Sequence, residues 1–326
     1  MASPNLDMIT TTTLRNRSGK LADDVSKNNA LLNNLMKKGK IKPVGGGRTI
    51  VQELEYAENS TYKRYSGYEL LNIAASDTFT AAEWNYAQAV VAVTISGLEQ
   101  LQNSGKEAII DLLDARIGNA ERTLKNNISI DCYSDGTADS GKQIGGLQSL
   151  VADLPTSGTV GGIDRATWTF WRNQFYRGVT DGGAAVSASN IQKYMNQLYL
   201  RCARGTDRTN LIIADNTYFD LYWQSLQAIQ RINKTDVGGT GFMQLQYLDA
   251  DVIFDGGYQG TSGGAPSAHM YFLNTDYIFF RPHKDRNMVP IDPERYATNQ
   301  DAMVKLIGFA GNMTMSNAFV QGVLVA

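Results

Sequence analysis

A stretch near the N-terminus, residues 45–86, constrains the fold of this chain most. Three glycines at 45–47 interrupt the chain, and the segment RTIVQELEY that follows alternates like a strand, with Ile50, Leu54 and Tyr56 on one face. After a polar stretch, LLNIAASDTFT forms a second extended segment. The aliphatic content is too low for a private core, and a two-stranded arm alone is marginal in water. The sequence therefore predicts a projecting hairpin that another subunit stabilises.

Tyrosines are concentrated in this hairpin. A tyrosine ring has an apolar body and a polar tip, and tyrosine is enriched at protein interfaces. An ordinary hairpin packed over its own domain is the alternative explanation. The predicted inter-subunit contact residues are Tyr56, Tyr62, Lys63, Arg64, Tyr65 and Tyr68.

The N-terminal segment is strongly basic. Residues 1–48 carry nine lysines and arginines against three aspartates, whereas the whole chain has a net charge of -2. Apolar residues between Leu21 and Met36 recur at the spacing of an amphipathic helix, which Gly39 ends. No core adjoins this helix in the sequence, so we expect it to dock on a neighbouring subunit, on the inner side of an assembly.

Four lysines lie at the end of this helix and just beyond it. They suit either the acidic surface of a neighbour or the phosphates of a nucleic acid. Contact with a nucleic acid would be weak, sensitive to salt and independent of sequence. The basic cluster consists of Lys37, Lys38, Lys40 and Lys42.

The motifs argue against an enzyme. Neither His269, at the start of a predicted strand, nor His283, in a predicted polar loop, has a partner at metal-ligand spacing. Cys132 and Cys202 lie 70 residues apart, which disfavours a disulfide scaffold or a thiolate metal site. Cys202 falls on the apolar side of a predicted helix and is expected to be a core residue. We expect no catalytic residue, no cofactor and no metal.

One phosphate-binding pattern is nearly present. The segment from Gly136 to Gln143, GTADSGKQ, differs from GxxxxGK[ST] at its last residue, where Gln143 replaces the hydroxyl that binds magnesium. The segment also follows the end of a predicted long helix, whereas a phosphate-binding loop follows a buried strand. We interpret it as a flexible turn.

Membrane and secretion signals are missing as well. No apolar run approaches the ~18 residues that a membrane helix needs. The first residues, MASPNLDMITTTTLRN, contain no apolar core of a signal peptide. We expect no membrane partner.

The rest of the chain predicts alternating helices and strands. A capping box, Ser104 to Glu107, begins a helix whose apolar residues continue to Leu124 in steps of three and four. An aromatic island, TWTFWRNQFY, precedes a second helix, in which Ile191, Tyr194, Met195, Leu198 and Cys202 share a side. The segment TNLIIADNTYFDLYWQSLQ reads as a strand, a cap and a helix, and further strands follow. The fold class is α+β.

In this order the elements resemble those of tailed-bacteriophage major capsid proteins with the HK97-like fold. The resemblance covers essentially the whole chain and rests on the basic N-arm, the extended hairpin, the long helix, TWTFWRNQFY and the strand–helix unit above. It implies an N-terminal arm at 1–44 and an extended loop, the E-loop, at 45–86. It further implies a peripheral (P) domain at 87–204 and 301–326 with the long helix as its spine, and an axial (A) domain at 205–300.

The resemblance also implies a function and partners. The chain would self-assemble, as pentamers and hexamers, into an icosahedral shell around packaged double-stranded DNA, in the cytoplasm of a bacterial host. Decoration, scaffolding and portal proteins would be further partners. In some relatives an E-loop lysine bonds covalently to a neighbour's asparagine; Lys63 occupies a comparable place, but no partner can be matched, so we expect a non-covalent contact.

Two other functions stay open at this point. The first is a compartment shell of the same fold, similar to encapsulins, which would enclose a cargo enzyme. The second is a nucleotide-using enzyme built around Gly136 and Lys142, in which Lys142→Ala would abolish ATP binding.

Overall fold

The computed structural model describes residues 29–98, 106–227, 244–255, 264–296 and 301–326, in which helices and strands alternate along the chain. The longer helices are α1 (Ala30–Lys37), α2 (Lys106–Asp131), α3 (Ile191–Cys202) and α4 (Asn216–Gln227). Single helical turns lie at Ala138–Gly141, Leu147–Leu150, Thr169–Trp171, Gly178–Gly182 and Thr275–Tyr277. The strands are β1 (Ile50–Glu55), β2 (Phe79–Trp84), β3 (Ala87–Ser96), β4 (Thr159–Val160), β5 (Ile163–Asp164), β6 (Gln174–Arg177), β7 (Leu211–Ala214), β8 (Gln244–Tyr247), β9 (Ala250–Phe254), β10 (His269–Leu273), β11 (Ile278–Tyr296), β12 (Ala302–Met315) and β13 (Gly322–Val325).

A six-stranded mixed sheet has the order β6-β13-β10-β7-β9-β8. The central strand β7 is buried along its whole length, because α3 and α4 cover one face and the main core covers the other. The sequence of a strand that is buried on both faces is a continuous apolar run, and LIIA is such a sequence. The predicted buried side of α3 is confirmed, including Cys202, whose pKa burial raises to about 12.

A three-stranded antiparallel sheet, β11-β12-β3, packs with the long helix α2. The predicted apolar face of α2 is confirmed at Ile117, Ala120 and Leu124, which are buried. The first half of that face and the capping box lie outside the side chains that the structure describes. The prediction for His283 is wrong: it lies in β11, because the strand continues through a register shift after Pro282, a place where a sheet tolerates proline.

The strand pairing does not coincide with the predicted domain boundaries. The six-stranded sheet takes β6 and β13 from the ranges predicted for the P domain, and β7 to β10 from the range predicted for the A domain. Conversely, β11 lies in the predicted A range but pairs with β12, which in turn pairs with β3. Chain order does not determine sheet membership, because the crossovers carry the chain between the two sheets.

The described end of the N-arm docks on its own chain, which corrects the expectation that it has no core of its own to cover. Leu31, Leu32 and Leu35 of α1 are fully buried in the main core. At the start of the helix, the backbone N–H of Ala30 donates to the Asp255 carboxylate at 3.3 Å. The N-arm before residue 29 lies outside the described residues.

The chain after α1 then runs along β11. Two backbone N–H groups, of Lys42 and Val44, donate to the carbonyl oxygens of Phe280 and Pro282 at 2.9 and 2.8 Å. The core that α1 covers was not visible in the sequence, because β11 and the end of α2 lie far along the chain from it.

The two strands β1 and β2 form an antiparallel hairpin that sits on the body of the molecule. One face, with Ile50, Leu54, Ala82 and Trp84, is buried. The predicted second extended segment, residues 70–80, is largely wrong: it overlaps the second strand only at Phe79 and Thr80, because pairing begins at Phe79 and continues to Trp84. We call β1 and β2 together the hairpin root.

The hairpin root contacts the body at Gly161, in the turn between β4 and β5. The Glu83 N–H donates to the Gly161 carbonyl at 2.9 Å. Gly161 has a φ of +58°, and a Cβ built on it would lie 2.8 Å from Cζ2 of Trp84 and 3.0 Å from Cβ of Ala82. The absence of a side chain therefore lets the hairpin root approach this turn.

We predict that Gly161→Ala destabilises the protein more than Gly162→Ala does. Both glycines have positive φ, so each alanine carries a backbone cost of about 1–2 kcal/mol, but a Cβ on Gly162 would meet nothing within 4 Å. Overpacking against Trp84 should add about 1–3 kcal/mol. Urea unfolding of both variants measures the difference, and equal destabilisation would show that the contact is unimportant.

The His269 side chain links β10 to the segment after the turn Leu147–Leu150. Its Nε2 lies 3.0 Å from an Asp153 carboxylate oxygen, and its Nδ1 lies 2.8 Å from the Ser267 carbonyl oxygen. Burial disfavours the charged ring, but these two acceptors, with Asp215 nearby, outweigh it and raise the pKa of His269 above its ordinary value.

This arrangement predicts a pH dependence of stability. A raised pKa means that the folded protein binds the proton more tightly, so the stabilisation is complete below about pH 6.5 and is lost as pH rises through the folded-state pKa. Asp153→Asn removes the charged acceptor. The difference in unfolding free energy between the wild type and this variant should shrink as pH rises over that range. An NMR titration showing a pKa of His269 at or below its ordinary value would contradict this.

Candidate subunit interface

The predicted contact residues fall on two parts of the hairpin. Residues 57–78, which we call the finger, contain turns but no helix or strand. Tyr62, Tyr65 and Tyr68 lie on the finger and are 78%, 64% and 106% exposed. The large aliphatic side chains there are exposed too: Leu70 by 93% and Ile73 by 94%. The finger thus presents apolar groups that the described part of its own chain does not cover.

The finger is held by short-range contacts. Lys63 forms an ion pair with Glu69 at 2.8 Å and donates to the Leu70 carbonyl at 3.4 Å, and Arg64 is exposed. At the base of the finger, the hydroxyls of Ser60 and Ser76 lie 3.2 Å apart. An exposed ion pair contributes little, so the finger has few interactions of its own that define its shape.

Tyr56 does not lie on the finger surface with the other tyrosines. Its ring packs on Trp168 and Phe170 of its own chain, with centroids 5.9 and 5.5 Å apart. Here the aromatic island fixes the place where the finger leaves the body. Tyr56 was predicted to be an interface residue because its ring carries a polar hydroxyl. The rings that it packs on belong to a distant turn, and no pattern in the sequence connects Tyr56 to that turn.

The outward face of the hairpin root is acidic, a feature that the sequence reading missed. Glu53 and Glu55 of β1 and Glu83 of β2 are exposed on this face, with Val51 and Phe79 beside them. Within the described residues neither Glu53 nor Glu55 has an ion-pair partner; Glu83 accepts a hydrogen bond from the Thr49 hydroxyl at 3.1 Å. This acidic face could have been predicted from RTIVQELEY, because the alternate residues Val51, Glu53 and Glu55 share one face of β1. We call Glu53, Glu55 and Glu83 the acidic face.

The predicted basic cluster meets further cations on β11. The Nζ atoms of Lys40 and Lys42 lie 5.5 and 5.0 Å from the centroid of the Phe279 ring, and the Arg281 guanidinium lies 5.1 Å from it. The pairing of residues 40–44 with β11 places these side chains on one face. Such cation–π contacts are worth about 0.5–1 kcal/mol at exposed sites. Cationic side chains therefore surround a phenylalanine that is only 8% exposed.

Most of the lysines near this ring are exposed to solvent. Lys37, Lys38 and Lys42 are exposed, as is Lys284 of β11. Lys40 differs, because its Nζ lies 3.5 Å from the Asp276 carboxylate and donates to the Asp276 carbonyl at 3.0 Å. Burial lowers the pKa of Lys38, although Asp276 opposes this shift. We call Lys37, Lys38, Lys40, Lys42, Arg281 and Lys284 the cationic patch.

A cleft opens where the hairpin root meets the body. It has a volume of about 130 Å³, and Tyr56, Phe170, Phe319, Arg204 and Glu55 are among its lining residues. Ser316 also lines the cleft, and its hydroxyl donates to the Tyr277 carbonyl oxygen at 3.5 Å. Its position beside the hairpin root places it in the candidate interface.

The candidates for chemistry are dispersed. The segment from Gly136 to Gln143 follows the end of α2, and Asp139, Ser140 and Gly141 form a turn with φ of 51°, 62° and 78°. Across the described ranges, no group of three or more His, Cys, Asp or Glu side chains is placed to hold a metal ion. Both cysteines are buried and unpaired. In the same ranges, no helix combines the length and apolarity needed to cross a bilayer.

Comparison with known proteins gives structural likeness without sequence likeness. No protein-family model and no curated protein matches the sequence. A chain of the capsid asymmetric unit of cyanophage A-1(L) is similar at a TM-score of 0.63 and 14% identity, covering 88% of this chain and 90% of that chain. Capsid chains of Myoviridae phage XM1 (TM-score 0.50, 12% identity, 90% and 91% coverage) and of a native GTA particle (0.51, 10%, 88% and 88%) are also similar.

The likeness extends over most of the length of each chain, so it concerns the fold as a whole and not one motif. At identities of 10–14% it establishes the fold. The chain has the α+β HK97-like capsid fold.

Proposed function

We propose that this protein is the major capsid protein of a tailed bacteriophage, and that its copies assemble into an icosahedral shell around packaged double-stranded DNA. The observation that carries the proposal is the finger, which exposes tyrosine and aliphatic side chains far from its own body. Monomeric proteins rarely expose large contiguous apolar patches. A neighbouring copy would cover these groups, and the capsid fold gives the geometry in which it would do so.

The role is structural in this proposal, with no catalytic step. Across its described parts, no group of three or more His, Cys, Asp or Glu side chains is placed to hold a metal ion, and both cysteine thiols are buried. Assembly would proceed in the host cytoplasm through pentamers and hexamers of this chain. Decoration, scaffolding and portal proteins would act on the finished or growing shell.

The sheet pairing supports a revised domain division within this proposal. The P domain would contain α2 with β3, β11 and β12, and the A domain would contain α3 and α4 with the six-stranded sheet. The hairpin root and finger form the E-loop, and residues up to 44 form the N-arm. In a shell, the E-loop would lie over an adjacent P domain.

Electron microscopy of the purified protein and of native particles tests the proposal. We expect closed polyhedral shells and, from native particles, double-stranded DNA that resists added nuclease. Shells that hold a protein cargo and no nucleic acid would overturn the viral role. A protein that stays monomeric under all assembly conditions would overturn the shell.

We predict that the triple variant Tyr68→Ser, Leu70→Ser, Ile73→Ser loses assembly while its fold stays intact. These side chains are almost fully exposed, so the unfolding free energy of the monomer should change by no more than about 0.5 kcal/mol. Their burial in a contact would be worth about 1.5–3 kcal/mol for each apolar side chain. Urea unfolding and electron microscopy measure the two effects.

The matched control is Val179→Ser, Leu200→Ser. These side chains are 57% and 73% exposed on the body, away from the finger. The control should form shells at the wild-type yield. If the finger variant also does so, the finger makes no important contact.

A further inference from the structure

The hairpin root and the cationic patch carry opposite charges on one chain. We infer that the acidic face of one copy docks on the cationic patch of a second copy, head to tail. This inference rests on the proposed function and names the surfaces that meet. A contact between two different patches of identical chains produces rings when the rotation closes, as it does in a capsomer.

The chain cannot make this contact with itself. The Arg281 guanidinium donates to the Gln52 side chain at 2.6 Å, so the patch adjoins the body side of β1. Glu53 and Glu55 lie on the opposite face of β1 and point away from the body, since successive strand residues alternate between faces. The two charged surfaces are thus separated by the sheet of the hairpin root, and the partner of each must come from another molecule.

Most of the charged side chains on the two surfaces are not used in ion pairs within the chain. Glu53, Glu55, Lys37, Lys42 and Lys284 have no ion-pair partner among the residues that the structure describes. The acidic face also has an apolar component, which a contact between copies would bury: Val51 is 51% exposed and Phe79 is 71% exposed.

A second copy suits the patch better than a nucleic acid does. Every chain supplies one acidic face for each patch, so the two surfaces are present in equal numbers throughout an assembly. Asp276 and Asp285 adjoin the patch, so its cations are interspersed with carboxylates. A protein partner that offers a few carboxylates at fixed positions suits this mixed surface better than a continuous phosphate backbone does.

Charge reversal tests the docking. Glu53→Lys/Glu83→Lys and Lys42→Glu/Lys284→Glu should each weaken self-association of the full chain by about tenfold or more, because like charges then face each other. The four substitutions combined in one chain should restore self-association, since the attraction is reinstated with inverted sign. Wild-type association should also weaken from 0.05 to 0.5 M salt, where screening shortens the Debye length. Sedimentation velocity and electron microscopy measure all of these.

Matched controls separate docking from net charge. Asp220→Lys/Asp249→Lys changes the net charge as much as the acidic-face variant does, at two exposed positions that belong to neither surface. It also removes the ion pair between Asp249 and Arg208, which is exposed and contributes little to stability. It should associate like the wild type; an equal loss would attribute the effect to net charge and overturn the docking.

The remaining outcomes distinguish this inference from the proposed function. Shells from both reversal variants, or failure of the combined variant to recover, would overturn the docking and leave the shell proposal intact. Salt-sensitive association with rescue but without closed shells would support the docking and contradict the shell. If Lys42→Glu/Lys284→Glu associates normally but no longer retains a DNA duplex that the wild type retains, the patch binds nucleic acid and the docking is wrong.

Discussion

The seating of the hairpin root on the body is the interaction on which the rest of this structure depends. Burial of one face of β1 and β2 fixes the direction of the strands, and Gly161 allows the approach that places Trp84 against the turn. With the root fixed, the finger leaves the body at Tyr56 in one orientation, although it has almost no stabilising contacts of its own. The root is preorganised for a partner, which reduces the entropic cost of binding, whereas the tip has to be ordered by the contact itself.

Under the buried face of the hairpin root, a buried arginine stabilises the turns on which the root packs. Arg165 is 2% exposed in the turn beside β5 and donates to the backbone carbonyl oxygens of Trp171, Ser149 and Leu150. Burial lowers its pKa to about 10, yet the group stays charged at neutral pH and satisfies three carbonyls that would otherwise be unpaired. One buried cation thus links the turns Leu147–Leu150 and Thr169–Trp171, and Trp171 packs under the root against Trp84.

Local patterns predicted the elements well and their long-range pairing poorly. The core side of α3 and the strand–cap–helix unit at 211–227 follow from spacing alone, because neighbouring residues decide a period of two or of three to four. By contrast, two features depend on contacts between distant segments. One is the docking of α1 on the core, and the other is the placement of β6 and β13 in a different sheet from the one that packs with α2. The acidic face was readable from the alternation in β1. Only the lysines of the cationic patch at residues 37–42 could be predicted from the sequence, because Phe279 and Arg281 join them through the pairing of residues 40–44 with β11.

The two surfaces proposed to contact a second copy have different physical characters, and this difference bears on how the proposed shell would form. Charged surfaces attract over about 10 Å at moderate salt and orient approaching copies, whereas apolar contacts act only at short range. Charge pairs at a solvated interface contribute modestly, so an early contact would be able to dissociate and correct its register. The apolar side chains of the finger would then add stability once the register is right. Many weak contacts, repeated over every copy, would produce a stable container although no single contact is strong.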